Sequence, residues 1–423
     1  MITEEKKDFK KTELGVFPEE WIIKPINECT NYVDYRGATP KKVDHGITLV
    51  TAKNIKKGYI DYSESKEYVE PDNYDEIMSR GKPEIGDVLI TTEAPLGHVA
   101  AVDDTNIALA QRVIKYRAIE SFLDNDYLKY FFLSDRFQEN LYTNSSGSTA
   151  TGIKGSVLHK LPICFPPTLF EQQAIASALS DVDELIRSLD GLIQKKQAIK
   201  KGTMQQLLTG KKRLPGFDGE WEKISLKQLT DRSFELFNDG DWVESDHIID
   251  QGIRLLQTGN VGVGKFKESR NKKYINEESF KKLNCKEVQV GDLLICRLAD
   301  PPGRACIVPD LKEEKLITSV DVSILRPKVD KVDKHFLLQV FSTNEWFDEV
   351  NEKCGGTTRT RISRSALGNI ELNLPPYEEQ KAIGTIFKDM NQELQTIRQK
   401  REKYVQIKQG MMQELLTGKT RLV

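Results

Sequence analysis

The strongest constraint on this chain is that it contains itself twice. The segment from Glu171-Gln172 to Leu207-Leu-Thr-Gly-Lys211 recurs from Glu379-Gln380 to Leu415-Leu-Thr-Gly-Lys419, and both ends stand 208 residues apart with no gap between them. A period this long is too great for a solenoid and fits duplication of a whole domain with its following helix. Upstream the echo continues with small insertions. Gly46-Ile-Thr-Leu-Val50 parallels Gly252-Ile-Arg-Leu-Leu256, and Ile85-Gly-Asp-Val-Leu-Ile90 parallels Val290-Gly-Asp-Leu-Leu-Ile295. Gly147–Ile153 parallels Gly356–Ile362, and Pro166-Pro167 parallels Pro375-Pro376. Between these anchors the halves diverge. One scaffold used twice, with two different recognition surfaces, is the expectation.

The repeated segments read as long helices. Stepping alternately four and three residues from Ile175 gives Ile175, Leu179, Val182, Ile186, Leu189, Ile193, Lys196, Lys200, Thr203 and Leu207, the first six an unbroken apolar seam. From Ile383 it gives Ile383, Phe387, Met390, Leu394, Ile397, Arg401, Tyr404, Lys408, Met411 and Leu415. That 3.5-residue spacing is the coiled-coil period. Proline pairs precede both helices, and Gly210 and Gly418 stand where a left-handed cap belongs. Forty residues at ~1.5 Å each make a rod of roughly 60 Å. Because a compact domain tends to have neighbouring termini, the second helix is expected to run back along the first. The competing arrangements are each helix packing on its own domain, or coiled coils between molecules.

The globular parts read as mixed α and β. Ile47–Val50, Asp87–Thr91 and Val113–Tyr116, with counterparts Ile253–Leu256, Asp292–Ile295 and Val320–Ile324, have strand composition bounded by turn residues. Tyr127–Leu133 and Phe336–Phe341 read as buried helix, and Trp21 and Trp221 as core anchors. The expected boundaries are 1–165 (domain one), 166–213 (first helix), 214–374 (domain two) and 375–423 (second helix). The fold class is α+β: two similar domains separated by an antiparallel two-helix coiled coil with a pseudo-two-fold repeat.

A formal charge of −2 gives no global basic field, so any nucleic-acid contact must come from local clusters. Six cysteines without a C-x-x-C pair read as free thiols in a reducing cytosol. No apolar run reaches the ~18 residues that span a bilayer, and the N-terminus lacks a signal-peptide core. A soluble cytoplasmic protein without membrane association is expected.

Catalytic look-alikes fail on context. Gly418-Lys-Thr420 lacks the leading glycine of a phosphate-binding loop and follows a helix instead of preceding one. Asp300-Pro-Pro-Gly303 lacks the aromatic that would stack on a flipped base. Asp310 and Glu313 share one turn. No catalytic residue, metal or cofactor is assigned to the chain.

The candidate DNA-binding residues lie on loops. In half one they are Tyr35, Arg36, Thr39, Lys41, Lys42, Lys53, Asn54, Lys56, Lys57, Ser148, Thr149 and Lys154. In half two they are Gln257, Thr258, Asn260, Arg297, Arg304, Thr357, Thr358, Arg359, Arg361 and Arg364. Cations and hydroxyls position a protein on phosphates, while Arg, Asn and Gln read base edges. Each loop could equally be an ordinary solvated surface; occurrence at matching places in both halves favours the DNA reading. Lys195, Lys196, Lys200, Lys201, Lys211, Lys212 and Arg213 read as a solvated face, a stripe along DNA, or a seat for an acidic partner.

A variable domain, then Pro-Pro-x-x-x-Glu-Gln-x-x-Ile, then a long helix ending Leu-Leu-Thr-Gly-Lys, and all of it again, resembles the specificity subunit of type I restriction-modification systems. The resemblance covers essentially the whole chain. It implies two target-recognition domains, each reading half of a split double-stranded DNA site, with the helices fixing the unread interval. It also implies a non-catalytic subunit that docks two methylation subunits and, through them, the restriction-translocase subunits. S-adenosylmethionine, ATP and magnesium would then serve those partners. Two other readings stay open: a coiled-coil scaffold without nucleic acid, and a self-sufficient modification enzyme.

Overall fold

The computed structural model describes residues 8–35, 40–147, 151–231, 233, 236–298, 301–328, 331–356 and 360–422. It divides into two compact units, Met1–Asp190 with Gln399–Val423, and Gly191–Arg398.

In the first unit the main strands are β1 (Ile22–Pro25), β2 (Thr30–Asp34), β3 (Ile47–Val50), β4 (Val88–Thr92), β5 (Leu96–Ala101), β6 (Ile107–Leu109), β7 (Val113–Ala118) and, further on, β8 (Pro162–Phe165). The helices are α1 (Asn125–Leu133), α2 (Asp135–Thr143) and the start of α3 (Leu169–Leu207). One sheet has the order β2-β7-β4-β5, and a second places β3 parallel to β6. β4 is buried along its length, so it lacks the alternation of a half-exposed strand. Val88 and Ile90 enter the core built on α1, whereas Leu89 enters the core of Leu49, Val50 and Ile107.

The second unit repeats this plan with β9 (Glu222–Ser225), β10 (Phe237–Asp239), β11 (Ile253–Leu256), β12 (Leu293–Cys296), β13 (Ala305–Ile307), β14 (Leu316–Thr318), β15 (Val322–Leu325), α4 (Lys334–Val340), α5 (Asn344–Glu352), β16 (Glu371–Leu374) and α6 (Tyr377–Leu415). The order β10-β15-β12-β13 mirrors the first sheet, and β11 runs parallel to β14 as β3 does to β6. Leu293 and Ile295 again face one core and Leu294 and Cys296 another. α1 and α4 are capped alike, Asp124 accepting from the Tyr127 N–H at 2.9 Å and Asp333 from that of Phe336 at 2.7 Å. The expected strands and buried helices are all present, displaced by one or two residues at their ends.

Within each unit the long helices lie side by side and antiparallel. In the first, Arg401 meets Asp190 at 2.9 Å and Lys408 meets Asp183 at 2.6 Å. In the second, Lys196 meets Glu393 at 2.6 Å and Lys200 donates to Asn391 at 2.7 Å. As one number rises its partner's falls. Leu189, Leu394 and Ile397 are buried, while Val182, Ile186, Ile193, Met390, Tyr404 and Met411 are half-buried. Ile175 and Leu179, at one end of the seam, belong to a domain core together with Leu415; Ile383 and Phe387 belong to the other with Leu207. Each end of the seam is thus part of a domain core.

The ends of the repeat explain its gapless match. Glu171 is 1% exposed and receives both edges of the Arg421 guanidinium, Nη2 to Oε2 at 2.6 Å, with Glu20 also on Arg421. Glu379 is fully buried and receives Arg213 the same way, at 2.6 and 2.5 Å. Each arginine lies over a tryptophan, Arg421 on Trp21 and Arg213 on Trp221. The left-handed Gly418 (φ +68°) and Gly210 (φ +70°) deliver those arginines, and a Cβ on Gly418 would sit 2.4 Å from Pro18. Gln172 donates to Phe122 O and Pro166 O and accepts from the Asp124 N–H; Gln380 does so with Lys331, Pro375 and Asp333. The Glu-Gln pair thus joins helix, domain and returning chain end. Trp21 is buried as expected, but Trp221 is half-buried.

Candidate nucleic-acid interface

The repeated Gly-Asp of both halves builds a turn next to the candidate surface. Gly86 and Gly291 have φ of +86° and +90°, and Asp87 and Asp292 accept from the N–H three residues back at 2.8 and 2.7 Å. Arg117 grips Asp87 at 2.6 and 2.8 Å, and Arg326 grips Asp292 at 2.7 Å twice. Lys115 adds a second cation to Asp87 at 3.0 Å. Burial raises the Asp87 carboxyl, yet hydrogen bonds from Arg117, the Glu84 N–H and Lys115 outweigh it and hold the group below its ordinary value.

This shared turn puts the rest in register. Five residues before Arg117 stands Arg112, and five before Arg326 stands Asp321. Five after Asp87 stands Thr92, and five after Asp292 stands Arg297; their carbonyls accept from Ile153 and Ile362 N–H. Gly152 and Arg361 precede those isoleucines and close equivalent hairpins with Ser146 and Gly355.

Several residues expected at DNA prove to be structural. Asn54 is 0% exposed; its Oδ1 accepts from Thr51 N–H and its amide donates to Asp61 O and Ser65 O. Asn260 is buried in the same arrangement, between Gln257 N–H and Lys267 O. These asparagines tie off a loop in each domain, so their polar groups are engaged internally. Tyr35 is buried and donates to Gly81 O. Arg304 donates to the carbonyls of Thr258, Val261 and Pro301 at 2.7 to 3.0 Å and braces its own loop. Arg297 is 3% exposed, donates to Ile362 O and Val320 O, and faces Asp239 at 3.0 Å. Burial pulls its guanidinium below the usual range, and Asp239 opposes this. Of these, Asn54 and Asn260 stand at matching positions and belong to the shared skeleton.

The remaining residues do reach the surface. In domain one, Lys42 and Lys53 line a hollow of about 250 Å³ with Gln111 and Arg112. Lys42 pairs with Glu67 at 2.7 Å, Lys56 with Glu64 at 3.4 Å and Arg112 with Glu93 at 2.7 Å. Lys41, Lys57 and Lys154 are exposed, and Gln257 and Thr258 half-buried. In domain two, Arg361 and Arg364 join Lys353 and Asp239 around a hollow of about 790 Å³. Arg36, Thr39, Ser148, Thr149, Thr357, Thr358 and Arg359 lie outside the described residues. Gln111, Arg112, Lys353, Asp239 and Asp321 went unnoticed in the sequence; only register with the Gly-Asp turn reveals Arg112 and Asp321. Of the late-helix cations, Lys196 and Lys200, which continue the seam period, and Arg213 turn toward the returning helix.

Asp310 takes the Lys312 ammonium and N–H, and no group of three metal-ligating side chains occurs among the described residues. The six cysteines are free, and no helix among the described residues is long and apolar enough to cross a membrane.

Two mixed α/β domains on one plan, each joined to half of a helix pair, define a class of duplicated recognition proteins. Residues 18–200 and 220–406 each match the type I restriction modification DNA specificity domain, and the chain belongs to that family. It is 25% identical over 434 residues to the type I restriction enzyme MjaVIII specificity subunit of Methanocaldococcus jannaschii, covering 99% of this chain and 97% of the relative. It is 27% identical over 438 residues to the putative MjaX specificity subunit of that organism, with the same coverage. In fold it is similar to the S subunit of the type I system of M. genitalium (TM-score 0.62, 14% identity, covering 93% of this chain and 96% of that one). A chain from a structure on complex assembly and conformational transition of the type I R-M system has a TM-score of 0.55 at 18% identity, covering 96% and 99%.

Proposed function

We propose that this specificity protein reads a bipartite, asymmetric DNA site, one half with each domain, and that the paired helices set the spacer. Half-sites one helical turn apart, ~34 Å, suit modules on a stiff support. The observation that carries this reading is the contrast between matched skeleton and unmatched surface: five residues before the arginine that grips the Gly-Asp turn stands Arg112 in one domain and Asp321 in the other.

The chain contributes recognition, and chemistry belongs to its partners. Two methylation subunits dock on the helices, and the restriction-translocase subunits assemble through them; S-adenosylmethionine, ATP and magnesium act there. The setting is the cytoplasm. Exposed apolar residues off the seam support docking. Leu192 and Ile199 are open, and Ile407, 208 residues after Ile199, is exposed at the equivalent place. Two equivalent apolar positions suit a partner present twice.

Footprinting of the complex reconstituted with methylation subunits tests the proposal: two protected half-sites of unrelated sequence are expected, and a single contiguous site would overturn it. Insertion of one heptad after Ile186 should lengthen the unread interval and leave both half-site sequences intact.

A further inference from the structure

An arginine that lines the hollow of domain two, Arg361, is paired with a carboxylate, an unfavourable neighbour for a DNA-binding surface. Asp321 lies immediately before β15, and its carbonyl accepts the Arg297 N–H. Its side chain meets Arg361 Nη2 at 2.9 Å, Asp321 being 21% exposed and Arg361 48%. The contact lacks hydrogen-bond alignment, since Asp321 Oδ1, sealed from solvent, accepts no hydrogen bond. A shielded carboxylate oxygen in that state is poorly satisfied, so the pair orients Arg361 without holding it firmly. The backbone of Arg361 is fixed, because its N–H and carbonyl are both bonded to Gly355. The guanidinium is therefore a head on an anchored stem, beside Lys353 and Arg364.

Resting on the DNA-reading proposed above, we infer that Asp321 is a specificity-determining residue, competing with DNA for Arg361. Non-specific affinity comes from phosphate contacts. An arginine already paired adds less to such a contact, because the pair must first be broken, and the released carboxylate then repels the backbone. A matched half-site offsets that cost with its other contacts and can present a two-pronged acceptor to the fork. Discrimination thus comes from a built-in penalty on the wrong partner as much as from attraction to the right one. Domain one has Arg112 at this position, paired with Glu93 at 2.7 Å, so a cation there stands where domain two has the acid.

The test uses the complex with its methylation subunits, the site its methylome defines, and a scrambled duplex of equal length. Asp321→Asn should tighten binding to the scrambled duplex about twofold to fivefold, the worth of a partly exposed ion pair, with little change at the cognate site. The specificity ratio should fall accordingly. Arg361→Gln should weaken cognate binding, and in the double variant the gain from Asp321→Asn should vanish, because the acid acts through that arginine. Persistence of the gain without Arg361 would reduce Asp321 to bulk charge and overturn the inference. Unchanged binding to the scrambled duplex in Asp321→Asn would do the same. If the wild-type complex fails to discriminate between the duplexes, the proposed function itself falls; discrimination that ignores Asp321 sinks only this inference.

Discussion

The interiors of the two domains and their hollowed faces tell opposite stories. Inside, Asp87 and Asp292, Asn54 and Asn260, and Glu171 and Glu379 make the same hydrogen bonds to equivalent partners. On the faces, Gly152 in domain one stands where Arg361 stands in domain two, and Arg112 where Asp321 does. A buried polar group tolerates only the partner that satisfies it, so duplication preserves it. A surface loop carries no such obligation and is free to diverge. In a duplicated recognition protein, identity between halves marks scaffold, and difference marks readout.

The largest test of that contrast lies at the helix ends. Arg421→Met leaves the buried Glu171 unpaired, a loss of about 3–5 kcal/mol, and Arg213→Met leaves the buried Glu379 unpaired in the same way. Chemical denaturation should show similar destabilisation for both variants; a large loss in one alone would break the equivalence of the clamps. Next come Asn54→Ala and Asn260→Ala. Each strips a loop of buried hydrogen bonds and should cost about 1–3 kcal/mol, lowering the melting midpoint while leaving the methylated sequence unchanged. A shifted target sequence would return these asparagines to the recognition surface.

Acid should have a gentler effect. The Asp87 carboxyl is held below its ordinary value, against the effect of burial, by Arg117, the Glu84 N–H and Lys115. Its contribution is present above the unfolded value of about 3.9 and is lost as pH falls through the lower folded value. Asp87→Asn should be less stable near neutrality and should lack this acid-dependent step; an unaltered pH profile would refute the role. The smallest effect concerns thiols. Burial pushes Cys29 and Cys285 up to about 11 and Cys164 and Cys306 up to about 12. Cys354 is half-buried beside Lys353 and Gly355 of the domain-two hollow. Alkylation followed by peptide mass mapping should modify Cys354 first, and cognate DNA should slow it; indifference to DNA would place the contact surface elsewhere.

The sequence by itself determined the duplication, the two long helices with their glycine ends, the main strands and the family resemblance. All of these depend on periodicity and local propensity, which a linear text preserves. Only the tertiary structure separated Asn54 and Asn260 from the surface, turned Arg304 inward, and paired Lys196, Lys200 and Arg213 with a helix about 170 to 200 residues away in sequence. It also found Asp321 opposite Arg361, forty residues along the chain. Whether a polar side chain meets water or a buried partner depends on packing between distant segments, and residue type alone does not encode it.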